Sequence, residues 1–228
     1  MRQFTKTVGE AKTEYFINGK KPSLLIVSGV HGDEFGVINS VRASIRRYLT
    51  RLPDFLFIPE MSSSAVLLGT RKNKEGLDLN RSFFDDSPSG EIRLIMEIIK
   101  NFHFDICFSF HEDLSLSEFY FYDAFGKNLG GSKLLKDLQE EIESFDVNLL
   151  NGVDDPNDPV LGDTFVDGYH YYPIEKGFAN KFGFFSDWCF VNKIIKRYIN
   201  PEIPGHLPQG KKDKLVDLIF RYLILNLK

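Results

Sequence analysis

The sequence predicts a three-layer α/β sandwich with a mixed, mostly parallel central sheet. Three observations carry that expectation. Short apolar or aromatic runs recur along the chain, most of them closed by Gly, Pro or a polar cluster, as buried strands are. Segments with apolar residues at helical spacing lie between several of them. The chain then closes on an amphipathic stretch from about Lys211 to Leu227 that reads as a helix. Strands alternating with helices place helices on the faces of such a sheet.

The elements follow in order. Leu24-Leu25-Ile26-Val27-Ser28-Gly29-Val30 reads as a buried strand feeding a helix, because Phe35 to Leu52 carries Val37, Ile38, Val41, Ile45 and Leu49 on one face. Asp54 to Pro59 is a short buried strand stopped by proline. Residues 60–88 show no strong periodicity and predict a long loop, a kind of segment that is usually functional in a compact domain. Glu91 to Phe102 is helical in pattern, and Phe104 to Phe110 is a strand followed at once by His111-Glu112-Asp113. Glu118 to Tyr122 predicts a strand and Gly131 to Ile142 a helix. Residues 148–175 read as loop, with Pro-containing Asp/Asn clusters and the aromatic patch Tyr169 to Tyr172. Phe182 to Phe190 mixes strand and short-helix signals, and Arg197 to Ile203 is extended up to Pro204-Gly205.

Composition bounds the rest. The chain has 228 residues, 43% of them hydrophobic and 22 of them Phe, enough for one core over residues 1–228 without disulfides or a structural metal. A net charge of −4 argues against nucleic acid, which calls for a basic stripe. Cys107 and Cys189 lie among apolar neighbours and read as reduced core residues. The first residues contain no apolar signal-peptide core, and no run reaches the roughly 20 apolar residues of a membrane span. A cytoplasmic protein with no membrane partner is expected.

His31-Gly32-Asp33-Glu34 follows directly on the first apolar run. It therefore stands on the turn at the carboxyl end of a strand, where open α/β sheets keep their ligand sites. An imidazole and a carboxylate so close on one turn can grip one metal ion. Zinc takes N and O donors at roughly 2.0–2.2 Å, and a catalytic zinc uses three protein ligands plus a water. His111 stands at the end of its strand as His31 does, and with Glu34 the two fit a His/Glu/His zinc site. The loop between them holds Gly69 to Phe83. Hydrolysis at a zinc needs a cation for the developing oxyanion and an anchor for the substrate. Arg71 is the candidate for the first role, and the Asn80-Arg81 pair for a substrate carboxylate. Asp113 is a candidate for supporting a metal ligand, while His103, His170 and His206 read as structural or surface residues.

His31-x-x-Glu34, then Arg71, then Asp78-Leu79-Asn80-Arg81-x-Phe83, then His111 resembles the zinc carboxypeptidases and their bacterial murein peptide amidase relatives. These are related in turn to the succinylglutamate desuccinylases and aspartoacylases. The resemblance spans roughly residues 23–123 and resumes near the end of the chain. It implies zinc held by His31, Glu34 and His111, with Arg71 polarising the scissile carbonyl and Asn80 and Arg81 binding the free carboxylate. It also implies a late glutamate, at a strand end, as general base for the zinc water. Glu202 is the best match, although Pro201 beside it is tolerated only at a strand edge or bulge. Glu175 competes, because a Glu in this kind of context serves the aspartoacylase branch. A tyrosine over the substrate is implied as well, with Tyr169, Tyr171 and Tyr172 in a suitable loop.

The expected activity is zinc-dependent cleavage of an amide next to a free carboxylate, of the carboxypeptidase or murein peptide amidase type. The substrate is expected to be a small peptide or an N-acyl amino acid. The separation of Arg71 from Asn80, and His-Glu-Asp after the second metal strand, look more like the amidase side. A short chain with no visible leader suits recycling of cell-wall peptides in the cytoplasm. Two alternatives stay open: an N-acyl amino acid deacylase of the aspartoacylase type, and a non-catalytic zinc- or peptide-binding module.

Overall fold

An antiparallel hairpin of β1 (Arg2–Val8) and β2 (Ala11–Asn18) precedes the first expected element. The computed structural model describes residues 1–155 and 162–227. β3 (Leu24–Val27) leads into α1 (Phe35–Tyr48), and β4 (Phe55–Ile58) into α2 (Ser63–Leu68). After α3 (Gly90–Ile99) come β5 (Ile106–Ser109), β6 (His111–Asp113) and β7 (Tyr120–Ala124). α4 (Lys133–Glu143) is followed by β8 (Gly152–Val153), β9 (Thr164–Phe165) and β10 (Tyr169–Tyr172). α5 (Phe185–Val191), β11 (Tyr198–Pro204) and α6 (Gln209–Ile219) complete the chain, the last continuing into a wider turn over Phe220–Ile224.

The main sheet runs β1-β2-β4-β3-β5-β11-β7-β10, with β6 beside β11. The inner strands β4, β3, β5 and β11 are parallel, whereas β2 pairs β4 and β7 pairs β11 antiparallel. Every residue of β3 and β4 is buried, as strands covered on both faces require. Successive side chains go to opposite faces, so Leu24 and Ile26 pack with α1, α4 and α6. Leu25 and Val27 pack with α3, α5 and Phe83 on the other face. The helix–sheet–helix sandwich and the mixed sheet agree with the sequence expectation.

Three stretches differ from it. The hairpin was not expected, because its Lys and Thr residues hide the apolar side of an edge ribbon that is largely solvated. The predicted loop 60–88 contains α2, capped by Ser62 Oγ on Ala65 N–H, and a 3₁₀ turn over Leu79–Arg81 capped by Asp78. Both are too short to register as a period. The predicted loop 148–175 contains β8, β9 and β10, and the aromatic run Tyr169 to Tyr172 pairs parallel with β7. Aromatic residues suit a pleated surface, and here that preference prevails. Of the Pro-containing cluster in this region, residues 156–161 lie outside the described residues.

Pro201 sits in an inner strand rather than at an edge, and the register explains why it is tolerated. On one side β11 pairs β5 through Tyr198 and Ile199, then β6 from Glu202 onward. Pro201 falls in the gap between the two partners, where no ladder bond needs its missing N–H.

Candidate active site

The carboxyl ends of β3, β5 and β11 lie side by side in the sheet, and the expected site residues collect there. His31 follows β3 in a sharp turn, and Glu34 directly precedes α1. His111 opens β6, and Glu202 of β11 is its register partner. Two glycines make the His31 turn possible. Gly29 has φ +62, a left-handed conformation that side chains rarely adopt. A Cβ on Gly32 would lie 1.8 Å from the Ala65 carbonyl oxygen, so only glycine lets the turn rest on α2. Its N–H donates to Thr70 O at 2.9 Å, which ties the turn to the loop carrying Arg71.

His31, Glu34 and His111 are all buried, and each offers a ligand atom within 4.8 Å of the others. Glu34 lies between the rings, with Oε1 2.5 Å from His31 Nδ1 and Oε2 2.9 Å from His111 Nδ1. The far nitrogens are occupied. His31 Nε2 is 3.1 Å from Asp78 Oδ1, and His111 Nε2 is 3.0 Å from Ser109 Oγ. A proton on each Nε2 satisfies these bonds, so Nδ1 is the atom of each ring that would face a cation beside Glu34. Burial opposes ionisation of Glu34, yet the two histidines hold its carboxyl far below the usual range. Burial likewise opposes charging of His31, but Glu34 and Asp78 hold its protonated form up to about 9. Two imidazoles and a carboxylate, buried and converging, are a donor set suited to zinc.

The cleft around this group has a volume of about 510 Å³ and is also lined by Arg71, Asn80, Arg81, Tyr120, Asn200 and Glu202. Burial first, then the carboxylates of Glu34 and Asp113, push the Glu202 carboxyl well above its ordinary range. A cation among these acids relieves that repulsion, a second fit to a metal. Arg71 Nε donates to Asp78 Oδ2 at 2.9 Å, and its Nη1 stands 3.9 Å from Glu34 Oε1. Arg81 lies over the Phe184 ring, 4.6 Å from its centroid, and donates to Asn80 O. Asn80 Oδ1 accepts the Phe185 N–H at 3.1 Å, which leaves Nδ2 as its donor group.

Several sequence candidates lie elsewhere. Glu175 is exposed and lines a neighbouring pocket, and it is not among the residues lining the cleft around His31, Glu34 and His111. Tyr169 is engaged with Asp123 and the Leu129 N–H, and Tyr171 with Gly126 O. Neither lines the cleft, whereas Tyr120 and Tyr122 do. Asp113 does line the cleft, but it accepts from Ser115, Leu116 and Tyr120, so it braces the turn after β6 rather than a histidine. His103 and His170 bond to backbone carbonyls away from the triad.

Asp78 and Asn200 line the cleft too, and the sequence reading assigns neither a role. Asp78 holds His31, Arg71 and the Asn80 N–H together. Asn200 donates Nδ2 to Glu202 Oε1 at 2.8 Å, while its buried Oδ1 has no partner among the described residues. Their signals were present. Asp78 opens the Asp-Leu-Asn-Arg run, and Asn200 stands two residues before Glu202, on the same face of a strand.

No protein-family model matches the chain, and no curated protein matches it in sequence. Solved structures do match its fold. A candidate metallopeptidase from Shewanella baltica superposes with a TM-score of 0.73 at 19% identity, over 99% of this chain and 86% of that one. Murein-tripeptide amidase MpaA from Escherichia coli O157 gives 0.60 at 17% identity, over 100% and 92% of the two chains. A metallo-carboxypeptidase from Pseudomonas aeruginosa, in complex with (2-guanidinoethylmercapto)succinic acid, gives 0.61 at 15%, over 97% and 63%. The fold is therefore the one that metallo-carboxypeptidases and a murein-tripeptide amidase share.

Proposed function

We propose that this protein is a zinc-dependent hydrolase that cleaves an amide bond next to a free carboxylate in a small peptide. The observation that carries the reading is the His31–Glu34–His111 donor set at the strand ends, with Glu202 and Arg71 in the same cleft. Zinc, when bound, supplies a Lewis acid and lowers the pKa of water.

The chain's own groups supply the rest. Glu202 takes a proton from the attacking water and passes it to the leaving nitrogen, and Asn200 fixes one of its carboxylate oxygens. Arg71, held in place by Asp78, meets the charge that develops on the carbonyl oxygen. Arg81 and Asn80 Nδ2 hold the substrate carboxylate and set which amide reaches the base. MpaA is named for a murein tripeptide, so a cell-wall peptide processed in the cytoplasm is the substrate type we favour. The position of Glu175 outside the metal cleft weighs against the aspartoacylase reading, which assigned it the base role.

The test combines metal and activity. One zinc per chain is expected after chelation and add-back, with hydrolysis of small peptides that end in a free carboxylate. Glu202→Gln is expected to keep the zinc and lose at least ~10²-fold in turnover. Full turnover in that variant sinks the assignment of the base. A His111→Ala protein with undiminished zinc affinity sinks the metal site.

A further inference from the structure

Glu112 follows His111 in the chain and is 4% exposed. Its Oε2 accepts from Lys212 Nζ at 2.7 Å, an ion pair buried between β6 and α6. Burying two charges costs desolvation that apolar side chains would not incur, so such a pair is weak evidence for stability. Nor is it needed to dock α6 on α1. Ser40 Oγ donates to Asp213 Oδ1 at 2.6 Å, and Gln209 Nε2 to Gly36 O at 3.2 Å, across the same join.

The remaining oxygen shows what else the pair does. Oε1 is buried, has no donor at hydrogen-bond distance among the described residues, and stands against the first turn of α1. A Cβ on Gly36 would lie 2.5 Å from it and 2.9 Å from Lys212 Nζ, so a side chain there would displace both groups from the helix end. Burial pushes the Glu112 carboxyl up, while Lys212 and then the Val37 N–H pull it down. Val37 is the third residue of α1, one of those whose N–H an N-cap side chain ordinarily takes.

The helix's own N-cap residue is Glu34, and its side chain makes no capping bond. Its oxygens go instead to His31 and His111, and Oε2 also accepts the Glu112 N–H at 3.3 Å. A carboxylate at an N-cap is drawn to the unpaired N–H groups and positive end of the helix. Glu112 meets with its side chain the demand that Glu34 leaves, and with its backbone it holds Glu34 in the site.

We propose that Glu112 is a positioning residue for Glu34: held by Lys212, it serves the N-terminus of α1 from β6, which keeps both Glu34 oxygens on the metal side. The proposal rests on the reading of His31, Glu34 and His111 as zinc ligands. It deepens that reading by assigning what keeps one of them in place.

Zinc dissociation constants are measured by competition with a chromophoric chelator, in conditions where urea melts show each metal-free chain fully folded. A loss of affinity then reads the site and not the fold. The first double variant, Glu112→Leu with Lys212→Met, removes both charges. The second, Glu112→Gln with Lys212→Met, keeps an oxygen for α1. The first is expected to bind zinc roughly 10- to 100-fold more weakly than the wild type, the scale of losing a partner of a metal ligand. The second is expected to recover most of that loss. Undiminished affinity in the first overturns the proposal, as does affinity in the second no tighter than in the first. Should the first fail to fold, amide exchange at Val37 in the wild type decides. Protection that holds or rises when zinc is added supports a cap independent of Glu34, and protection lost on adding zinc overturns it. A wild type that takes up no zinc refutes the metal reading itself, and this proposal with it.

Discussion

Asp78 serves three neighbours at once. One oxygen faces His31 Nε2 and the Asn80 N–H, and the other takes the Arg71 guanidinium. It therefore sets the tautomer of a candidate metal ligand and the direction of a candidate oxyanion donor through one side chain. The two arginines of this loop have separable effects. Arg71→Ala is expected to lower turnover by about 10²–10³, because its contact strengthens only as charge develops in the transition state. Arg81→Ala is expected to raise the Michaelis constant for free-acid substrates. Comparing free-acid with C-terminally amidated peptides reads the difference, and an unchanged preference in Arg81→Ala refutes its anchoring role. The donor set was legible in sequence because each ligand stands at the end of an apolar run. The supporting contacts were not, since Asp78 meets His31 and Asn80 meets the Phe185 N–H only when segments far apart in the chain come together.

At the scale of elements, the site depends on how tightly the His31 turn lies on α2. Gly32→Ala places a methyl inside the Ala65 carbonyl and has no side-chain end that can yield. A loss of at least about 2 kcal/mol in stability is expected, together with weaker zinc binding. Denaturant melts with and without zinc measure both, and a wild-type midpoint excludes the packing argument. Long, strongly periodic elements such as α1 and the buried strands β3 and β4 were readable from their patterns. The short helix α2 was not, because six residues hold too little of a 3.6-residue period. Nor was β10, whose aromatic residues form a strand only because β7 offers an edge.

At the scale of the whole molecule, helices cover both faces of the sheet, with a large buried apolar cluster on each face. A buried ion pair reinforces the join. Lys212 of α6 bonds Glu112 at 2.7 Å, on the strand of His111. Among the described residues no helix is long and apolar enough to cross a membrane. Zinc that binds only the folded chain adds stability by mass action. Chelation is therefore expected to lower the melting temperature, and zinc to restore it in a concentration-dependent way. A melting temperature indifferent to both argues against a site that forms on folding.

Spatial order and chain order disagree at β11. This strand is among the last elements in the sequence, yet it lies between β5 and β7 and is the strand that pairs with β6. Until it arrives, the sheet is two separate pieces, and each presents an open edge to other chains. Glu202 is then missing from the cleft, and His111 lacks its register partner. During synthesis, metal capture would thus report that the last strand has gone home. A chain cut after Asn192 is expected to bind no stoichiometric zinc and to aggregate through its unclosed edges. In kinetic terms the centre of the sheet is a latch, and the candidate site is complete only when it closes.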